Sequence, residues 1–117
     1  MTELSEDKPL MWLVDKVKSP PLSLEARLEA GFLLRRLQQG DAVHMPHSRP
    51  MPAIGRRCHE LRVQDRHDTW RIVYRVDVDA IVILEVFSKK TQATPDRVVK
   101  TCKQRLTAYD DVSRRKT

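Results

Sequence analysis

Two runs of alternating residues closed by a short polar loop constrain this chain more than anything else in it. Cys58-His59-Glu60-Leu61-Arg62-Val63-Gln64 and Thr69-Trp70-Arg71-Ile72-Val73-Tyr74-Arg75-Val76 flank the loop Asp65-Arg66-His67-Asp68. If Gln64 and Thr69 close that loop, Arg62 lies opposite Arg71, Glu60 opposite Val73 and Cys58 opposite Arg75. Directly opposed residues share a face. His59, Leu61 and Val63 then meet Tyr74, Ile72 and Trp70 on the other face, the pattern of an antiparallel sheet with one side on a core. The polar side gathers Glu60, Arg62, Arg71 and Arg75, and on this reading it stays accessible. Like charges directly opposite each other are unfavourable, so Arg62 and Arg71 require an anion between them.

The hairpin belongs to a chain of 117 residues, enough for one domain around a single core. We expect a flexible N-terminus over 1–9, the domain over 10–110 and a basic tail over 111–117. Leu10 to Val17 reads as a first strand, ended by Ser19-Pro20-Pro21 because proline lacks the ladder donor. Ser23 then caps a helix from Leu24 to about Gln39, with Leu24, Leu28, Phe32, Leu33, Leu34 and Leu37 as its apolar stripe and Gly40 as its stop. Asp41 to Arg57, with Pro46, Pro50, Pro52 and Gly55, reads as one long connection of the kind that often carries function. Ala80 to Phe87 is apolar except for Glu85, as expected of a strand in the interior of a sheet. Thr94 and Pro95 open a last helix whose stripe is Val98, Val99, Cys102, Leu106 and Tyr109. The expected class is α+β: a small, mostly antiparallel sheet in β-α-β-β-β-α order, with the helices packed on one face.

Basic residues outnumber acidic ones by 22 to 16, giving a formal net charge of +6 that favours anionic partners. The positive charge gathers on the hairpin and in the C-terminal region, where Lys89 and Lys90 follow the last strand and Arg97, Lys100, Lys103 and Arg105 lie along the last helix. Those helix residues read as a solvated face or as a surface for an anionic partner. Cys58 and Cys102 form no CxxC pattern, and we expect reduced structural thiols in a cytoplasmic protein. Met11-Trp12-Leu13-Val14 is far too short to span a bilayer, so no membrane partner is expected. His44, His47, Cys58 and His59 supply metal-ligand types, but their spacing fits no zinc pattern and no metal or cofactor is expected. His59 reads instead as a histidine at the core edge beside Tyr74, and His47 as a solvated loop residue with RNA contact as the alternative.

Leu24-Glu25-Ala26-Arg27 through Leu33-Leu34-Arg35-Arg36-Leu37, then Cys58-His59-Glu60-Leu61-Arg62, Trp70-Arg71-Ile72-Val73-Tyr74-Arg75, and Ile83 to Gln92 before Thr94-Pro95, together resemble the RelE/ParE toxin superfamily. The closest likeness is to its HigB-like branch, related to phage Gp49 proteins, and it covers roughly 10 to 109. The resemblance implies the toxin of a type II toxin–antitoxin pair, neutralised by a helix-turn-helix antitoxin of the HigA kind, touching DNA only through that antitoxin. It further implies an endoribonuclease that cleaves messenger RNA on the ribosome without a metal, the ribose 2′-hydroxyl attacking the neighbouring phosphate. By the same resemblance Arg71 stabilises the transition-state charge, while Arg62, Lys89 and Lys90 position RNA. Arg75, on the same face, is an RNA-binding candidate. For proton transfer, Glu60 is the candidate base and Lys89 or Lys90 the candidate acid. No histidine occurs after His67, and Tyr109 stands far from the last strand, so the proton donors that such enzymes carry near the C-terminus are missing. Two alternatives stay open: a ParE-like toxin that inhibits gyrase without nuclease activity, and an inactive basic RNA-binding module.

Overall fold

The computed structural model describes residues 7–89 and 93–115. Their elements are β1 (Leu10–Trp12), α1 (Leu24–Gln38), β2 (Ser48–Pro50), β3 (Cys58–Gln64), β4 (Thr69–Val76), β5 (Ile81–Lys89) and α2 (Asp96–Arg115). The class is α+β, with one mixed five-stranded sheet in the order β1-β5-β4-β3-β2. Only β1, against β5, runs parallel to its neighbour. The order departs from expectation by one strand, because three residues of the long connection pair with β3 as Ser48↔Leu61, Arg49↔Glu60 and Pro50↔His59. Proline is tolerated there because β2 is an edge strand.

The β3–β4 register is the expected one, from Gln64↔Thr69 through Arg62↔Arg71 to Cys58↔Arg75. β1 is shorter than expected, pairing only three residues with Ile81, Val82 and Ile83. A bulge shifts β5 against β4, since Val73 faces Glu85 and Tyr74 faces Ile83, leaving Leu84 as the extra residue. α1 begins as expected at Ser23, whose hydroxyl accepts from the Ala26 N–H at 3.0 Å. α2 continues to Arg115 through most of the expected tail, with residues 111–115 exposed. The expected flexibility of 1–6 and the remainder of the tail, 116–117, lie outside the described residues. No helix among the described residues is long and apolar enough to cross a membrane.

The helices do not share a face. α1 buries Ala26, Ala30, Leu33, Leu34 and Leu37 against Leu61, Val63, Ile72, Tyr74, Ile81 and Ile83. α2 buries Val98, Cys102 and Leu106 against Cys58, Val73, Val82 and Leu84 on the opposite side. β5 explains why both sides are covered: its alternate residues Ile81 and Ile83 feed one core, Val82 and Leu84 the other, and all four are buried. The stripe expected on α1 also divides. Leu33, Leu34 and Leu37 are buried, while Leu24, Leu28 and Phe32 are each more than half exposed.

Candidate functional site

The accessible arginine face expected from the hairpin is not what the fold builds. α2 lies over that side of the sheet, and its entry residue Thr94 donates its hydroxyl to Glu60 Oε2 at 2.9 Å. Glu60 Oε1 accepts from Arg71 Nη1 and from Arg49 Nε, each at 3.2 Å, and Arg62 Nε stands 3.9 Å away. The Glu60 side chain has no exposure and that of Arg71 has 1%, whereas Arg62 keeps 17% and Arg49 28%. One carboxylate thus organises three guanidinium groups at graded depth. Removing either Glu60 or Arg71 would leave the other as a buried charge, so that pair is the fixed centre of the cluster. Burial holds the Arg71 guanidinium below its usual range; Glu60 opposes this, and the neighbouring charges of Arg62 and Arg49 add to it.

Two expected roles change with this geometry. Glu60, with no exposure and with Thr94, Arg49 and Arg71 donating to it, is fixed in place and is not a base open to a substrate. Arg75 is committed too. It makes two hydrogen bonds to Asp77, at 2.7 and 2.8 Å, and two to Asp110 of α2, at 3.0 and 2.8 Å. The hydrogen bonds from Arg75 hold the Asp110 carboxyl below its usual range, while Asp110 and then Asp77 push the Arg75 guanidinium up. Arg75 therefore fastens α2 to β4. Arg105 does the same nearer β5, reaching Glu85 at 3.4 Å and the Leu84 carbonyl.

Lys89 is half-buried at the end of β5, paired with Thr69, which in turn pairs with Gln64. Alternation along β4 places Thr69 on the same face as Arg71, so Lys89 stands one row beyond Arg62 and Arg71 at one end of the sheet. Lys90 lies outside the described residues. The structure thus brings Arg62, Arg71 and Lys89 together at that end and separates Arg75 from them.

Among the described residues no group of three or more His, Cys, Asp or Glu is placed to hold a metal ion. Cys58 and His59 point to opposite faces: Cys58 enters the α2 core, and His59 stacks on Tyr74 with ring centroids 5.5 Å apart. Burial pushes the Cys58 thiol up and the Cys102 thiol up to about 12, which keeps both protonated near neutral pH. Reading the sequence missed Arg49, because three strand residues ending in proline inside a loop carry no alternation to detect. It also gave Thr94 only a capping task, and a capping residue announces nothing about a carboxylate 34 positions away.

The comparisons with known proteins bear on this arrangement at the level of family. Residues 21–107 match the family model described as Phage derived protein Gp49-like (DUF891), a span that includes α1, the four strands β2 to β5 and the first half of α2. No curated protein and no solved structure matches the chain. The matched segment contains every member of the arginine cluster, and the chain belongs to this Gp49-like family, a family of RelE/ParE-like toxins usually paired with an antitoxin.

Proposed function

We propose that this toxin is an endoribonuclease that cleaves messenger RNA, most effectively on the ribosome, and is neutralised by a helix-turn-helix antitoxin of the HigA kind. The observation that carries the reading is the graded cluster in which Glu60 holds Arg71 in the interior and leaves Arg62 and Arg49 partly open to solvent. Arginine offers planar, permanently charged donors suited to phosphate, and a fixed guanidinium stabilises phosphorane charge without reorganising. Contact with the phosphate falls to Arg62 and Arg49, with Lys89 on the flanking backbone. Arg71, which the family resemblance would place on the phosphate, is given the task of holding Glu60, the carboxylate that draws in Arg62 and Arg49. Lys90 keeps its proposed part in positioning RNA.

The chemistry requires neither metal nor cofactor. Attack by the 2′-hydroxyl forms a 2′-oxygen–phosphorus bond, breaks the bond to the 5′-oxygen, and leaves a cyclic phosphate and a free 5′-hydroxyl. Gyrase inhibition on the same kind of fold asks nothing of this cluster, and fold alone does not choose between the two. The deciding experiment is inducible expression of the chain and of Arg62→Ala and Arg49→Ala, with messenger RNA 5′ ends mapped and gyrase supercoiling assayed. New 5′ ends that vanish in Arg62→Ala support the reading. Growth arrest with unchanged RNA ends and inhibited gyrase overturns it.

A further inference from the structure

At the edge of the sheet, where β2 stops and β3 continues, a cleft of about 540 Å³ opens beside the arginine cluster. It is lined by Glu25 and Glu29 of α1, His47, and Arg62, Gln64 and Thr69 of the hairpin. His47 ends the turn that leads into β2, its N–H donating to the His44 carbonyl at 3.0 Å. One residue before the Ser48↔Leu61 pair, the Arg62 N–H donates to the His47 carbonyl at 2.8 Å. The imidazole is exposed, whereas Arg62 beside it is mostly buried with its guanidinium drawn toward Glu60.

The cleft therefore holds a phosphate-binding type of side chain, an imidazole whose ring nitrogens can carry and give up a proton, and two carboxylates. An exposed loop histidine is ordinarily a solvated one. Here its backbone carbonyl is held by a hydrogen bond from the very residue that would hold the phosphate. That placement also bears on the proton donor missing from the C-terminal region, where no histidine follows His67.

We propose that His47 is the general acid of the RNA cleavage, an inference that rests on the ribonuclease reading above. The scissile phosphate sits on Arg62. Glu25 or Glu29 takes the proton from the ribose 2′-hydroxyl as its oxygen bonds to phosphorus. The imidazolium of His47 gives its proton to the 5′-oxygen as the phosphorus–oxygen bond breaks. The enzyme is left with one protonated carboxyl and a neutral imidazole, and a proton returned through solvent resets both. The substrate class is single-stranded RNA with a 2′-hydroxyl at the cut, since a folded duplex would not present one linkage to a cleft at a sheet edge.

The experiment uses the full chain with a short messenger, both naked and programmed into purified ribosomes, and a matched messenger carrying one 2′-deoxyribose at the cut. Wild type is expected to cleave only the ribose substrate, with a rate that falls at high pH. His47→Gln should lower kcat by about 10²–10³-fold with KM nearly unchanged and lose that alkaline fall, a size typical of one proton-transfer group. The doubly substituted Glu25→Gln, Glu29→Gln chain should lose the acidic limb instead. Added imidazole should restore part of the activity of His47→Ala, a rescue that no purely structural role would give. His47→Gln within about threefold of wild type and with an unchanged pH profile overturns the assignment while leaving the nuclease standing. A wild-type chain that cuts neither RNA, on or off the ribosome, overturns the nuclease reading and this assignment with it.

Discussion

Arg62 and Arg71 face each other across two strands, yet their surroundings differ enough to separate what each contributes. Arg71 is almost wholly enclosed and bonded to Glu60, so Arg71→Ala removes the partner of a buried carboxylate. Breaking such a pair on one side costs about 3–5 kcal/mol, and Glu60→Ala should cost about the same by stranding the arginines instead. Both variants are expected to show a large drop in the urea midpoint. Arg62 sits nearer the surface and 3.9 Å from Glu60, so Arg62→Ala should leave the unfolding free energy within about 1 kcal/mol of wild type and still abolish RNA cleavage. A variant series in which Arg62→Ala unfolds the chain as readily as Arg71→Ala would remove the distinction. Tyr74 offers a scale for comparison: its hydroxyl and that of Ser48 share a buried hydrogen bond of 2.7 Å, and Tyr74→Phe should cost about 1–3 kcal/mol because Ser48 is left without a partner.

Among the elements, α1 holds a residue that its own fold does not require. Gly31 lies in the middle of the helix, and a methyl group added there would meet nothing within 4 Å. Gly31→Ala should therefore raise stability by about 0.5–1 kcal/mol, read as a higher midpoint with an unchanged slope in urea. The same helix shows what the sequence could and could not reveal. Ser23 as cap, the start at Leu24 and the register of β3 against β4 were all legible, because capping and period-two alternation are local signals. The exposure of Leu24, Leu28 and Phe32 was not, since spacing identifies an apolar stripe without saying how much of it finds a partner. β2 was hidden for a related reason: an edge strand of three residues is made by pairing with β3 rather than by any pattern of its own. Placement of α2 was half legible. The two-sided apolar character of Ile81 to Leu84 required cover on both faces, but Glu60, Arg62 and Arg71 gave the second face the look of a solvated one. Alternation reports which residues share a side, and it cannot distinguish charges facing water from charges neutralising one another under a helix.

At the scale of the whole molecule, each face of the sheet is closed by a helix, and a carboxylate helps to tether each closure. Asp65 in the hairpin loop accepts from the Ser23 N–H at 3.0 Å, from the Arg66 N–H at 2.8 Å and from the Trp70 indole at 3.1 Å, tying the start of α1 to the sheet. Those hydrogen bonds, with Ser23 foremost, hold its carboxyl at about 2. Asp110 ties the far part of α2 to Arg75, and its carboxyl is likewise held below the usual range. Both groups bind a proton more weakly in the folded chain than in the unfolded one, so the unfolded state gains protons first on acidification. The stability they contribute is complete above the unfolded carboxylate value of roughly 4 and is lost as pH falls through the folded values, about 2 for Asp65. Thermal unfolding followed from pH 7 down to pH 2 should therefore show Tm nearly level at first and falling steeply below about pH 4. Asp65→Asn and Asp110→Asn should each have a lower Tm than wild type at pH 7. Their deficit should shrink as pH drops, because the tether each lacks is one that acid removes from wild type as well. If either variant keeps its full deficit at pH 2, its carboxylate is not one of the groups through which acid loosens the helices from the sheet.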